Sequence, residues 1–163
     1  MKSDMLHLAQ RVRDELIGDI LPFWIDKMAD ADNGGYYGQI TGKNDLITNA
    51  PKGGILNARI LWTFSAAYRT LGKKEYLDAA LRARDYIFEF FTDKDYGGTF
   101  WSVDYKGNPL DTKKQIYSQA FCIYALSEYY RATNDQESLN LAFEGLTARE
   151  TALNRVTAER LVQ

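Results

Sequence analysis

Apolar side chains return every three or four residues from Ser3 to Phe23, at Leu6, Ala9, Val12, Leu16, Ile20 and Phe23, while Arg11, Arg13, Asp14 and Asp19 fill the other face. This spacing predicts one amphipathic helix, kinked or ended near Pro22, whose ring removes a backbone donor. Between Asn33 and Asn49 the period is lost, and glycines on either side of the stretch YYGQIT predict a short hairpin or an ordered loop. From Ile55 to Leu71 the chain is apolar almost all round, which predicts a helix enclosed by others. Lys74 to Phe91 is two-faced again, with Tyr76, Leu77, Ala80, Ala83, Ile87, Phe90 and Phe91 against Asp78, Arg82, Asp85 and Glu89. An inner helix is thus followed by an outer one.

The order then restarts. The stretch DNGGYYG at Asp32 returns 63 positions later as DYGGTFW, and Ala58 to Ala80 can be laid over Ala120 to Ala142 without a gap, at a shift of 62. Seven positions match in that overlay, among them Ser65/Ser127, Tyr68/Tyr130 and Arg69/Arg131. A repeat of hairpin, inner helix and outer helix is the way α/α toroids are assembled. Each glycine pair turns the chain from an outer helix into a two-stranded rim element, using backbone angles closed to other residues. Two readings are open for the aromatics after each pair, Tyr36, Tyr37, Phe100 and Trp101: they stand around a pocket at the rim, or they pack the hairpins onto the helices. A third glycine pair in register would fall at Glu159 and Arg160, where there is none. The pattern of residues 1–144 is therefore expected to be the N-terminal portion of a ring, and 145–163 a tail that departs from it, whether because the chain is part of a longer protein or because its end has been replaced by a frame shift.

A formal charge of −2 and alternating charge signs leave no basic field for a phosphate backbone, so nucleic acid is not an expected partner. The N-terminus has no apolar signal core and no run approaches a membrane span, which makes the cytoplasm the expected location. Cys122 is the one cysteine and is expected to be core packing. Eleven tyrosines among an aromatic share of 13% favour a large core or a sugar-binding groove.

Candidate chemistry is sparse. Arg59 lies within the most apolar helix, and a buried guanidinium demands an acceptor, which is either an acid on another helix or an anionic or polyhydroxy ligand. Tyr117 and Phe121, four apart on the next inner helix, share a face that begins at the same rim, as core packing or as part of a pocket. His7 is the only histidine and is expected at the surface or in helix packing, so it cannot form a two-base site. No phosphate-binding glycine loop, serine nucleophile elbow or metal-ligand cluster is present in the sequence.

The words KGGILNARILWTFSAAYR and QIYSQAFCIYALSEYYRAT, with the two glycine-pair hairpins, resemble the cellobiose 2-epimerase branch of the N-acylglucosamine 2-epimerase superfamily, over about the N-terminal third of a member. The resemblance implies an all-α fold that is part of an (α/α)6 toroid, with short β-hairpins at the rim and the active site at its mouth. It implies inversion of C2 in the reducing-end glucose of β-1,4-linked disaccharides such as cellobiose, extending in some members to lactose or mannobiose, through a cis-enediolate and a histidine pair, with neither cofactor nor metal. Arg59 would then stabilise the enediolate charge, and Tyr117 would line the reducing-end subsite. The histidines and the assisting glutamate belong to later repeats and are missing here, so the 163-residue chain is expected to be inactive by itself. Two other readings stay open: a fragment of an α/α-toroid glycoside hydrolase, or a non-catalytic helical fragment that binds a partner or self-associates through exposed inner faces.

Overall fold

The computed structural model of the chain describes residues 2–146, with side chains from residue 4. Helix α1 spans Lys2–Glu15 and does not end at Pro22. It runs on to Lys27 through two π-helical turns, Leu16–Ile20 and Phe23–Lys27, with Pro22 at helical angles between them. The widened turns on either side accommodate a residue that has no N–H to offer the preceding turn.

Strand β1 (Lys52–Gly53) leads directly into α2 (Gly54–Leu71), and α3 (Lys74–Tyr86) returns, closing with a π turn at Ile87–Phe91. Strands β2 (Ser102–Val103) and β3 (Pro109–Asp111) form the second hairpin and feed α4 (Ile116–Thr133), after which residues 136–146 form α5. The repeat read from the sequence is present at the level of single bonds. Helices α2 and α4 end alike on left-handed residues, Gly72 (φ 71°) and Asn134 (φ 61°), whose N–H groups reach Tyr68 and Tyr130. Ser65 and Ser127 donate to the carbonyls four residues back, of Leu61 and Ile123.

The core lies among α2, α3 and α4. Leu61, Phe64, Tyr76, Ala80, Ala83, Ile87, Ala125 and Leu126 are essentially inaccessible there. Cys122 joins them as expected, and burial pushes its thiol up to about 12. Arg69 on α2 donates to Glu128 on α4 at 2.8 Å, and Arg84 on α3 binds Asp135 (3.0 Å) and Glu137 at the start of α5.

The amphipathic stripe of α1 is only partly covered. Leu21 is buried and Leu16 and Phe23 are half-buried, but Met5, Leu6, Leu8 and Val12 stand exposed, and a cleft of about 390 Å³ opens between α1 and α2, lined by Val12, Leu16, Trp62 and Leu71 among others. No described helix is long and apolar enough to cross a membrane.

Candidate functional site

The rim is built twice with the same atoms. In the first turn Asp30 accepts the N–H groups of Asp32 and Asn33, Gly34 and Gly35 take φ of 76° and 63°, and Ala29 bridges Tyr36. In the second, Asp93 accepts those of Asp95 and Tyr96, Gly97 and Gly98 take 70° and 74°, and Thr92 bridges Thr99. A lysine closes each turn: Lys52 lies 2.8 Å from Asp30, and Lys114 lies 2.7 Å from Asp93. Both turns therefore sit at the N-terminal ends of α2 and α4, at one end of the molecule.

A feature absent from the sequence reading ties the two turns together. Strand β1 pairs antiparallel with β2, Lys52 opposite Val103 and Gly53 opposite Ser102, so the second hairpin and the segment entering α2 form one three-stranded sheet. The first turn approaches the same segment at Gly38, which needs to be glycine because a Cβ there would come within 1.9 Å of the Pro51 carbonyl oxygen.

The two lysine pairs differ in burial. Side chains of Asp30 and Lys52 are fully buried, whereas those of Asp93 and Lys114 keep 11% and 28% of their exposure. Burial by itself would raise Asp30, but the Lys52 ammonium and the Asn33 N–H outweigh it and hold the carboxyl below the usual aspartate value. For Lys52 burial is the larger effect and holds the ammonium below the usual lysine value, against the pull of Asp30. Lys52 also donates to the Gly34 carbonyl at 2.7 Å and lies 4.7 Å from the centre of the Tyr86 ring.

Of the aromatics that follow the glycine pairs, Tyr36 is core. It is buried, its hydroxyl donates to the Ala79 carbonyl at 2.8 Å, and its ring stacks on Phe64. Tyr37, Phe100 and Trp101 are half-buried at the rim.

The expected burial of Arg59 is not found. Arg59 is exposed in the second turn of α2 and makes no hydrogen bond or ion pair among the described residues. Helix α2 has neighbours on its other sides, but the face carrying Arg59, Trp62 and Ala66 meets solvent or half-covered space. Tyr117 is 60% exposed, Phe121 is half-buried, and their rings meet edge to face with centroids 4.9 Å apart. No contact joins Arg59 to either ring among the described residues.

A second pair of aromatics, missed in the sequence, connects the two helices. Trp62 on α2 stacks on Tyr124 of α4 with centroids 5.2 Å apart and planes 13° from parallel. Trp62 follows Arg59 by three residues and Tyr124 follows Phe121 by three, so each lies one turn deeper on the same open face. The 62-residue shift superposes Trp62 on Tyr124 and Arg59 on Phe121, and that register was the available signal.

Comparison with known proteins adds the family. The model of the N-acylglucosamine 2-epimerase (GlcNAc 2-epimerase) family matches residues 35–159. The chain belongs to the N-acylglucosamine 2-epimerase family. Within that family it is 55% identical over 135 residues to a cellobiose 2-epimerase of Bacteroides fragilis, covering 83% of this chain and 34% of that protein. It is 47% identical over 136 residues to the cellobiose 2-epimerase of Ruminococcus albus, covering 83% and 35%. Among solved structures, cellobiose 2-epimerase from Bacillus thermoamylovorans superposes with a TM-score of 0.86 at 47% identity, over 89% of this chain and 37% of that one. The described residues therefore build part of an (α/α)6 toroid with a small sheet at its rim. The chain spans about a third of the length of the curated relatives it matches.

Proposed function

We propose that this chain forms the N-terminal wall of a carbohydrate 2-epimerase that acts on the reducing-end glucose of β-1,4-linked disaccharides such as cellobiose. The observation that carries the reading is the open face shared by α2 and α4, where an exposed Arg59 lies one helical turn from Trp62, which stacks on Tyr124, and where Tyr117 and Phe121 meet edge to face on α4. Aromatic faces pack against the C–H surfaces of a pyranose, and a guanidinium donates in a fixed fork to sugar oxygens. High identity to proteins named cellobiose 2-epimerase supports the choice of disaccharide.

Epimerisation at C2 begins with ring opening, which breaks the C1–O5 bond and frees the C1 aldehyde; the C2 proton is then removed to leave an enediolate whose charge rests on oxygen, and a proton returns to the other face of C2. Arg59 suits the middle step, as a donor facing the oxygen on which charge builds. Proton transfer needs a base and an acid, and typically contributes ~10²–10⁴-fold. His7 is the sole histidine and is exposed on α1, so this chain does not supply the histidine pair that the family resemblance implies.

The purified 163-residue chain is expected to leave cellobiose unchanged when the mixture is assayed for glucosyl-mannose, and turnover would overturn the inactive reading. The site assignment is tested in a chimaera in which residues 1–144 replace the corresponding segment of the Bacteroides fragilis relative. That chimaera is expected to epimerise cellobiose, and Arg59→Ala to lower its kcat by about 10²–10³-fold, the usual cost of losing an oxyanion donor. An unchanged kcat removes Arg59 from the site.

A further inference from the structure

Helix α4 reaches back to the rim through one side chain. Gln119 is buried, its Oε1 accepts the Thr99 N–H at 2.9 Å, and its Nε2 donates to the Thr99 carbonyl at 2.6 Å. A primary amide offers a donor and an acceptor side by side, so it pairs with both main-chain groups of one extended residue as a neighbouring strand would. A Cβ on Gly98 would come within 2.8 Å of the same Oε1, so glycine is needed beside the clasp.

The clasp is not a by-product of the repeat. Asn57 stands at the matching place on α2, 62 positions earlier, and its Nδ2 donates to the Gly53 carbonyl at the start of its own helix. Its Oδ1 is buried with no partner among the described residues. The first rim turn is held instead by Lys52 and by the Tyr86 ring.

What the clasp holds lies on the other helix. Two residues beyond Thr99, the Trp101 carbonyl accepts the N–H of Gly54, the first residue of α2, at 2.9 Å. The Phe100 carbonyl presses on the same residue, where a Cβ would come within 2.9 Å of its oxygen and 3.3 Å of the Ser118 hydroxyl. A line of contacts thus runs from Gln119 on α4 through Thr99, Phe100 and Trp101 to the start of α2. Arg59 follows Gly54 by five residues, and Tyr117 and Phe121 flank Gln119 by two on either side. Residues two apart on a helix do not share a face, so the buried amide serves the rim while the two rings stand at the open side.

We propose that Gln119 is a positioning residue: by clasping Thr99 it sets where α2 begins against α4, and thereby where the Arg59 guanidinium stands relative to the substrate oxygen that gains charge. The proposal rests on the reading of Arg59 as the oxyanion donor. Arg59 makes no hydrogen bond or ion pair of its own among the described residues, so its place is fixed by the helix that carries it. A displacement of about 1 Å at such a group can cost about 10²-fold in rate.

One test contains sugar and the other does not. In the chimaera, Gln119→Met keeps the volume and removes both bonds, and it is expected to lower kcat about tenfold with KM changed less than about threefold. Gly54→Ala strikes the same line from its other end with Gln119 intact, and should lower kcat in the same way. In an Arg59→Ala background each change is expected to cost less than about twofold, because a residue that works through the guanidinium has nothing left to position. Losses that multiply instead would make Gln119 a general prop of the fold and overturn the proposal. In the 163-residue chain, Gln119→Met should speed hydrogen exchange at the Thr99 and Gly54 amides about tenfold more than at Ala80 and Ala83 of α3. Equal acceleration at all four, or a Gly54 amide that keeps its protection, would break the line between the helices and overturn the proposal whatever the sugar assay gives. A kcat that ignores Arg59→Ala would remove the reading of the site and this positioning role with it, and Thr99 exchange then separates a failed site from a failed clasp.

Discussion

Lys52→Met is expected to lower folding stability by about 3–5 kcal/mol, the cost of leaving one member of a buried ion pair without its partner. The methionine keeps most of the stem volume, so the loss reports on charge. Asp30 would retain its backbone donors from Asp32 and Asn33 but its buried carboxylate would lose its bonded ammonium, and the nearby Arg82 guanidinium reaches the main-chain carbonyl of Asp30 (3.3 Å) instead. Lys114→Met makes the same change where Asp93 and Lys114 reach water, and about 1 kcal/mol is expected there. The double variant Asp30→Asn with Lys52→Met should recover much of the loss, because an amide accepts the same backbone N–H bonds and carries no charge to desolvate.

Acid gives the same pair a second readout. In the native chain Asp30 titrates below its unfolded value, so its stabilisation is complete above the ordinary aspartate range and is lost as pH falls through the lower, folded value. In Lys52→Met the leading cation is gone and burial dominates, which raises Asp30 above its unfolded value. A raised acid destabilises at high pH and recovers as pH falls through its folded value, so the gap between wild type and variant should narrow between pH 7 and pH 4. Urea melts of the two chains at several pH values measure that gap, and a gap that stays constant would mean Asp30 is not the group responsible.

The sequence made this pair hard to see for a physical reason. Helices declare themselves through period, and the two faces of α3 were legible residue by residue, down to Asp78, Asp85 and Glu89 on its wet side. Two-residue strands have no period, and the pairing of Lys52 with Val103 is set by the way two rim turns meet in space. A polar residue in a loop reads as solvated, yet Lys52 is among the most buried side chains of the molecule. The only trace was the recurrence of Asp30 and Lys52 as Asp93 and Lys114 in the repeat register. Arg59 shows the converse error. An apolar sequence on all sides implies enclosure only when every neighbour is present, and among the described residues the face of α2 that carries Arg59 is only half covered, by Tyr124 over Trp62. The same holds for Leu6 and Val12 on α1, whose spacing gave the helix but not its cover.

Tyr86→Ala is the other substitution with a large expected effect, about 3–5 kcal/mol, in the range for removing a buried aromatic ring. The ring is 3% exposed, sits 4.6 Å from Phe90 and 5.9 Å from Phe91 between centroids, and covers both Gly35 and Lys52. Its removal opens a void directly over the ion pair, where water can then reach Lys52. That makes the effect non-additive with Lys52→Met: once the pair is solvated, losing the lysine costs less, and the double variant should be more stable than the sum of the single losses predicts. Tyr86→Phe separates ring from hydroxyl. The Tyr86 hydroxyl is buried without a hydrogen-bond partner, so phenylalanine keeps the packing and sheds an unpaired polar group, and its stability is expected to equal or slightly exceed that of the native chain. A clear loss in Tyr86→Phe would show that the hydroxyl has a bound partner, such as an ordered water, and would move part of the cover over Lys52 from packing to hydrogen bonding.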